Sequence, residues 1–502
     1  MKKITTLILL FIINCSLFIV NAQSIYFNKR IDITNGDWDL STTLITFGNG
    51  YLVGGDCGPG RKMFLSKLDS VGNIEWSKIY TEVGYNYFIG SSGSLLQTKD
   101  KYFAICGSRV PYFSFGILLK VDSLGNKKWE REYTILYNNI LNSGNITKDS
   151  GYILTGYARI ESSKYYYLLL KTDSLGNQQW YKTYTDNDPN RNYAGKCVIE
   201  TSDTGYCLGG GGGYWSVPGS EYRSIVEIIK TDSLGNQQWK KTYGNPIYNN
   251  HGGFITQSKD TCIVVTYSSA YEAGEYANRQ VFISKIDMDG NEKWNKRIGL
   301  FVSGNYSSWI HTLADGSFVI SGGHEIKDTL GKWIGWLFKL NTNGDSLWYK
   351  EYTVINGPND ANQLWQVTPT PDKGFAGAGS LFPNSAGGTQ DIWVFKTDSL
   401  GCLVYNCTGL GVTEFNPNAG AQLLVYPNPF KEAFAINYSL PKESKKGVFE
   451  LRDVMRRLVY STALNNNVRQ LQVVATSLKA GIYFGSLVVD DTIIKTEKIV
   501  KE

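Results

Sequence analysis

One phrase recurs seven times in this chain, at Lys67 to Trp76, Lys120 to Trp129, Lys171 to Trp180, Lys230 to Trp239, Lys285 to Trp294, Lys339 to Trp348 and Lys396 to Tyr405. Within it an acid or amide stands at Asp69, Asp122, Asp173, Asp232, Asp287, Asn341 and Asp398. A glycine follows three residues later, at Gly72, Gly125, Gly176, Gly235, Gly290, Gly344 and Gly401. Successive copies lie 51 to 59 residues apart. An apolar run such as Tyr167 to Leu170 reads as a buried strand. Asp173 caps a turn through its side chain, Gly176 supplies a positive φ, and Gln178 to Tyr184 returns as a second strand.

A second phrase precedes the first by some twenty residues and marks another hairpin, as in Asp149 to Gly156, Asp203 to Tyr206, Asp315 to Phe318 and Asp372 to Phe375. A further short segment before each, such as Ala194 to Thr201, completes four strands per unit. Four antiparallel strands repeated seven times predict an all-β chain whose main body is a seven-bladed β-propeller over residues 23–408. Helical solenoids are excluded, because the apolar residues come in short bursts broken by Gly, Asn and Asp rather than at helical spacing. Tyr26 to Ile31 echoes Lys293 to Ile298 but lacks the three strands that should precede it. The expectation is that residues 25–31 form the outer strand of blade seven and close the ring, leaving no sheet edge exposed. The recurring tryptophans are expected to pack between neighbouring blades.

Lys2 and Lys3 precede an apolar run from Ile4 to Val20, which ends in Val20-Asn21-Ala22. This reads as a secretory signal peptide over residues 1–22, and no later stretch is long and apolar enough to span a bilayer. Removing it takes two lysines and no acid from a formal charge of +5, leaving +3. The basic residues recur once or twice per unit beside acids, which reads as solvated strand faces and makes nucleic acid an unexpected partner.

After Cys407 the repeat stops. Residues 409–422 read as a linker, and residues 423–502 as a small β-sandwich built from alternating strands such as Ala433 to Tyr438 and Gly447 to Arg452. Three ordered motifs occur there: Pro427-Asn428-Pro429-Phe430, Gly481-Ile482-Tyr483, and a basic final strand around Lys495 and Lys498. Together they resemble the type A C-terminal sorting domain of proteins exported by the type IX secretion system. That resemblance implies an immunoglobulin-like sandwich, recognition by the type IX machinery, and a cell-surface or secreted destination. It implies nothing about what the exported cargo does.

For chemistry the sequence offers little. There is no Gly-x-Ser-x-Gly elbow, and His251, His311 and His324 lack zinc spacing, so no metal and no cofactor are expected. Asp287 to Asn291 has the wrong spacing for a calcium loop and reads as the same bend as the other units. Cys402 with Cys407, and Cys197 with Cys207 on adjacent strands, are the candidate disulfides of an exported chain. The connection from second to third strand is longest in units four and five. It places Tyr214, Trp215, Tyr222, Tyr271 and Tyr276 as candidate stacking residues, with Glu221, Glu272 and Arg279 for polar direction. The expected function is binding or adhesion to an extracellular glycan or protein. The alternative is a glycan-active hydrolase or lyase whose acids come from separate blades.

Overall fold

The computed structural model describes residues 26–403 and 422–501, apart from 162–163, 186–190, 215–223, 246–247, 271–278, 299–303, 327–330, 387, 427–429, 431, 441–446, 456, 465–469 and 491. The repeat phrase folds as its turn chemistry dictates. In the third unit the Asp173 carboxylate accepts the N–H groups of Leu175 and Asn177 at 2.9 and 2.8 Å, Gly176 donates to the Asp173 carbonyl, and Gly176 has a φ of +76°. Asn341 does the same in the sixth unit, accepting from Asn343 and Asp345.

Each unit is an antiparallel sheet, and the seven blades span residues 39–80, 86–133, 138–184, 191–243, 250–298, 306–352 and 361–397. Blade seven takes its outer strand from the start of the chain: Phe27–Ile31 pairs antiparallel with the third strand of that blade, Phe27 opposite Lys396 and Ile31 opposite Ile392. Arg30 bonds the buried Asp391 of that strand, and the Asp39 N–H, which opens blade one, donates to the Gln390 carbonyl at 2.7 Å. Backbone pairing therefore closes the ring, as the orphan strand implied.

Adjacent blades are stapled by the recurring tryptophan. A Cβ added to Gly125, Gly176, Gly235 or Gly344 would fall 2.7 to 2.8 Å from the ring of Trp76, Trp129, Trp180 or Trp294 of the preceding blade. At the closure Phe27 takes the tryptophan's place against Gly72. A tyrosine on the same strand adds a hydrogen bond to the next bend, Tyr133 to the Gly176 carbonyl at 2.8 Å and Tyr184 to that of Gly235 at 2.7 Å. The bend glycine is thus required twice, for its positive φ and for the flat ring lying on it.

The lysine that opens each phrase is not a solvated strand residue. Lys67, Lys120, Lys171, Lys230, Lys285 and Lys396 are buried. From blade two onward the ammonium reaches the acid of the second phrase: Lys171 to Asp149, Lys230 to Asp203 and Lys285 to Asp260 at 2.8 Å, and Lys396 to Asp372 at 2.7 Å. Burying an ammonium requires such a partner, and the two phrases of each blade supply it to one another. Blade one has Gly48-Asn49-Gly50 where the acid would stand, and there Lys67 turns to Glu75 at 3.2 Å.

The expected Cys197–Cys207 bridge is absent, and both are free, buried thiols. The strand register sets Cys197 opposite Gly209 and Cys207 opposite Ile199, and the Cys197 thiol is turned to the Ile255 carbonyl of blade five. Cys402 is disulfide-bonded, and Cys407 lies outside the described residues.

Residues 422–501 form two facing sheets. One runs Gln422–Tyr426, Ala433–Ser439, Gln470–Val474, and the other Leu458–Leu464, Gly447–Asp453, Gly481–Val489, Thr492–Lys501. Phe434, Ile436, Phe449, Leu451, Leu487 and Ile499 fill the space between them, which makes the unit an immunoglobulin-like sandwich with its own core.

Candidate functional site

The innermost strands create the site through a shared irregularity. In six of the seven blades the pairing of first and second strands skips one residue: Thr42, Asn142, Lys196, Gly253, Ser308 and Trp365. Each is the extra residue of a β-bulge, released from the ladder where the strand passes the axis. In blade two the strand is broken instead, into Asn86–Ile89 and Leu95–Gln97. The intervening residues cross the channel. The Ser91 N–H donates to the Asn142 carbonyl at 2.7 Å, the Ser92 hydroxyl to the Trp365 carbonyl at 3.0 Å, and the Gly93 N–H to the Gln366 side chain at 2.9 Å. Gly93, with a φ of +78°, lies under the Trp309 ring, where no side chain fits. This segment plugs the ring, and the channel above it is a blind pocket.

The pocket has a volume of about 420 Å³, and a side cavity of about 210 Å³ between blades three, four and five shares Lys196, His251 and Gly252 with it. Ser91 and Ser92 of the plug line the main pocket. On the side of blades six and seven stand Tyr306, Trp333 and Trp365, with ring centroids 5.6 Å apart for Tyr306 and Trp333 and 5.9 Å for Tyr306 and Trp365. The Trp365 indole N–H is fixed by Ser380 at 3.0 Å, so its ring is held in place. Lys196, His251 and Arg279 reach the pocket from blades four and five. Burial, and then the nearby Arg279, lower the Lys196 ammonium to about 8. Burial, then Lys196, then Arg279 push His251 well below its ordinary range. Among the described residues no aspartate or glutamate lines either cavity.

Of the residues proposed from sequence, Arg279 lies in the pocket. Tyr214 ends the strand Tyr206–Tyr214, and Trp215, Glu221, Tyr222, Tyr271, Glu272 and Tyr276 lie outside the described residues. The strand ends that carry the blade-four loop, Gly213 and Ser224, line the side cavity. Sequence reasoning missed Lys196, His251, Tyr306, Trp333 and Trp365. The available signal was the position seven residues before the acid of the second phrase. It reads Asn142, Lys196, Ser308 and Trp365 before Asp149, Asp203, Asp315 and Asp372, a variable place in an otherwise repetitive unit.

His324 is held by Glu351 at 2.9 Å, outside the pocket. Asp287 accepts the Asn291 N–H at 2.7 Å and is a turn residue. Carboxylate oxygens of Asp32, Asp39 and Asp391 come within 4.8 Å of one another at the ring closure. There Asp39 accepts from the backbone of Ile33 and Thr34 while Asp391 holds Arg30, so this cluster belongs to the closure network.

In the C-terminal unit, Phe430 is buried, its N–H donates to the Val500 carbonyl at 2.9 Å, and the Lys501 ammonium lies 5.0 Å from its ring. The Tyr483 hydroxyl donates to the Lys479 carbonyl at 2.7 Å, and Lys495 stands 3.7 Å from Glu497. The backbone of Lys498 pairs opposite Phe484. Pro427, Asn428 and Pro429 lie outside the described residues.

No curated protein sequence matches the chain. Among solved structures, an ulvan lyase described as a new family of polysaccharide lyase superposes with a TM-score of 0.51 at 8% identity, covering 76% of this chain and 98% of that one. Its complex with -[GlcA(1-4)Rha3S]- gives 0.50 at the same identity and coverage. An α-L-arabinanase from Penicillium chrysogenum complexed with arabinobiose gives 0.41 at 12% identity, covering 59% of this chain and 92% of that one. At such identities the likeness is one of fold. Residues 424–502 match the secretion system C-terminal sorting domain family. The sandwich that ends this chain is therefore a type IX sorting domain, and the propeller it follows is cargo exported to the cell surface or beyond.

Proposed function

We propose that the propeller is a noncatalytic carbohydrate-binding module of an exported protein, and that the plugged channel is its binding pocket. The observation that carries this reading is the set Tyr306, Trp333 and Trp365 beside a blind cavity of about 420 Å³. Half-buried aromatic faces backed by a rigid sheet are suited to stacking on sugar rings, and the serines of the plug offer hydroxyl partners at the floor. The fold likeness to a lyase solved with a bound glycan is compatible with this use of the channel. Hydrolysis of a glycosidic bond uses a pair of carboxyl groups, and none lines the cavity among the described residues. Export begins, on this reading, with the signal sequence at residues 1–22.

A second reading, a lyase, is favoured by one observation. Lys196 titrates near 8 beside Arg279, which pairs a proton acceptor with a fixed cation. Incubating the purified chain with acidic polysaccharides and following the ultraviolet absorbance of unsaturated ends separates the two, since a binder yields none. A glycan array probed with the whole mature chain tests the first. Wild type is expected to retain a glycan class that Trp365→Ala binds about tenfold more weakly. Equal binding by the variant would place the ligand elsewhere.

A further inference from the structure

At the ring closure three carboxylates meet. Asp32 follows the closing strand Phe27–Ile31, Asp39 opens the first strand of blade one, and Asp391 opens the third strand of blade seven. One carboxylate oxygen from each lies within 4.8 Å of those from the other two. In the blades the acid of the second phrase has a lysine of its own, as Asp203 has Lys230. The closure is different. Arg30 is bonded to Asp391 through Oδ2, whereas Asp32 and Asp39 accept hydrogen bonds from the neutral donors of Ile33, Thr34 and Gly36.

Asp391 is fully buried, and its Oδ1 atom has no hydrogen-bond partner. A carboxylate oxygen withdrawn from water and left unbonded is costly, and carboxylates this close repel one another. Arg30 offsets one charge of the three. The oxygens of Asp32 and Asp39 that accept an N–H group each keep a second lone-pair site, so their hydrogen bonds leave them able to ligate. A cation seated among the three carboxylates satisfies the orphaned oxygen and offsets the remaining charge at once. The group consists of hard oxygen donors, and its spacing suits an ion that holds oxygens about 2.3–2.6 Å away. Asp32 is exposed, which leaves an entry from solvent.

We infer that Asp32, Asp39 and Asp391 bind one calcium ion, which ties the closing strand, blade one and blade seven together where the ring shuts. This inference is independent of the carbohydrate reading of the channel.

The test uses the whole mature chain, stripped of metal by a chelator and then titrated with calcium chloride or magnesium chloride. Millimolar calcium is expected to raise the melting temperature by a few degrees, and magnesium by less. Asp32→Asn keeps the size of an exposed side chain while removing its charge, and should bind calcium at least about tenfold more weakly in titration calorimetry. Asp37→Asn removes an exposed acid of the same loop that stands outside the cluster, and should leave the calcium response intact. Should Asp32→Asn melt below the metal-free wild type, calorimetry at a temperature where both are folded decides in the same way. A wild-type chain without a calcium-dependent shift, an equal response to magnesium, or calcium binding that survives Asp32→Asn would overturn the assignment.

Discussion

The outer hairpin bends and the inner-strand bulges are built seven and six times over, yet they follow opposite rules. At the bends the residues are nearly the same in every blade: a buried lysine, a turn acid or amide, a glycine under the preceding blade's tryptophan. At the bulges every blade differs: Thr42, Asn142, Lys196, Gly253, Ser308 and Trp365, with blade two replacing its bulge by the plug. A position that shapes the blade must repeat, since each blade meets the same neighbour in the same way. The bulge residues have different surroundings: the Thr42 hydroxyl donates to the Gly90 carbonyl and the Asn142 amide to that of Gly195, while Lys196, Ser308 and Trp365 line the pocket.

The sharpest break of that contrast is steric. Gly235→Val puts a β-branched side chain at a φ of +76° and within 2.7 Å of Trp180, and it should cost about 4 kcal/mol in urea unfolding. The bulge substitution Lys196→Gln should move the same midpoint by less than about 0.5 kcal/mol. A Gly235→Val protein unfolding with the wild-type midpoint would sink the staple.

The next comparison lies within the bends. Lys230→Ala strips Asp203, Gln238 and the Thr231 carbonyl of their shared partner, and a loss of about 2 kcal/mol is expected. Lys67→Ala in blade one, where the partner Glu75 is about half exposed, should lose less, about 1 kcal/mol. Equal losses would mean that the acid of the second phrase adds nothing.

Acid titration probes the same pairs together. The Lys171 ammonium and the Thr147 hydroxyl hold Asp149 down to about 2, and Asp203, Asp260 and Asp372 are also lowered by their lysines. Carboxyls depressed in the folded state contribute stability above their ordinary pKa near 4, which is lost as pH falls from about 4 toward about 2. Melting temperature should drop across that window, and Asp149→Asn should shallow the slope.

The smallest effect belongs to the pocket. Burial and Arg279 lower the Lys196 ammonium to about 8, and among the described residues the other basic groups lining its pocket are Arg279 and His251. If the pocket holds the glycan, wild-type affinity should change between pH 7 and 9, whereas that of Lys196→Gln should stay level. A pH-dependent profile in the variant would assign the titration to another group.

How much was legible follows the same division. Asp173, Gly176 and their equivalents could be read directly, because a turn is decided by residues within five positions of one another. The orphan strand was legible too, since Phe27-Asn-Lys-Arg-Ile31 repeats Trp294-Asn-Lys-Arg-Ile298 and a sheet edge needs pairing. The burial of the lysines escaped, because their acids stand twenty or more residues away and only the register of the sheet brings them together. The Cys197–Cys207 bridge failed for the same reason, as adjacent strands do not make opposite residues.

From its sequence alone this chain was committed to hairpins, to seven units of them, and to a sorting sandwich at its C-terminal end, all consequences of short-range turn chemistry and ordered motifs. Only the closed ring decided that Lys196, His251, Arg279, Tyr306, Trp333 and Trp365 share one pocket above a plug from blade two. Those residues come from separate blades and carry no common motif. Their meeting depends on where the strands bulge around an axis, a property of the assembled sheets that no local stretch of sequence contains.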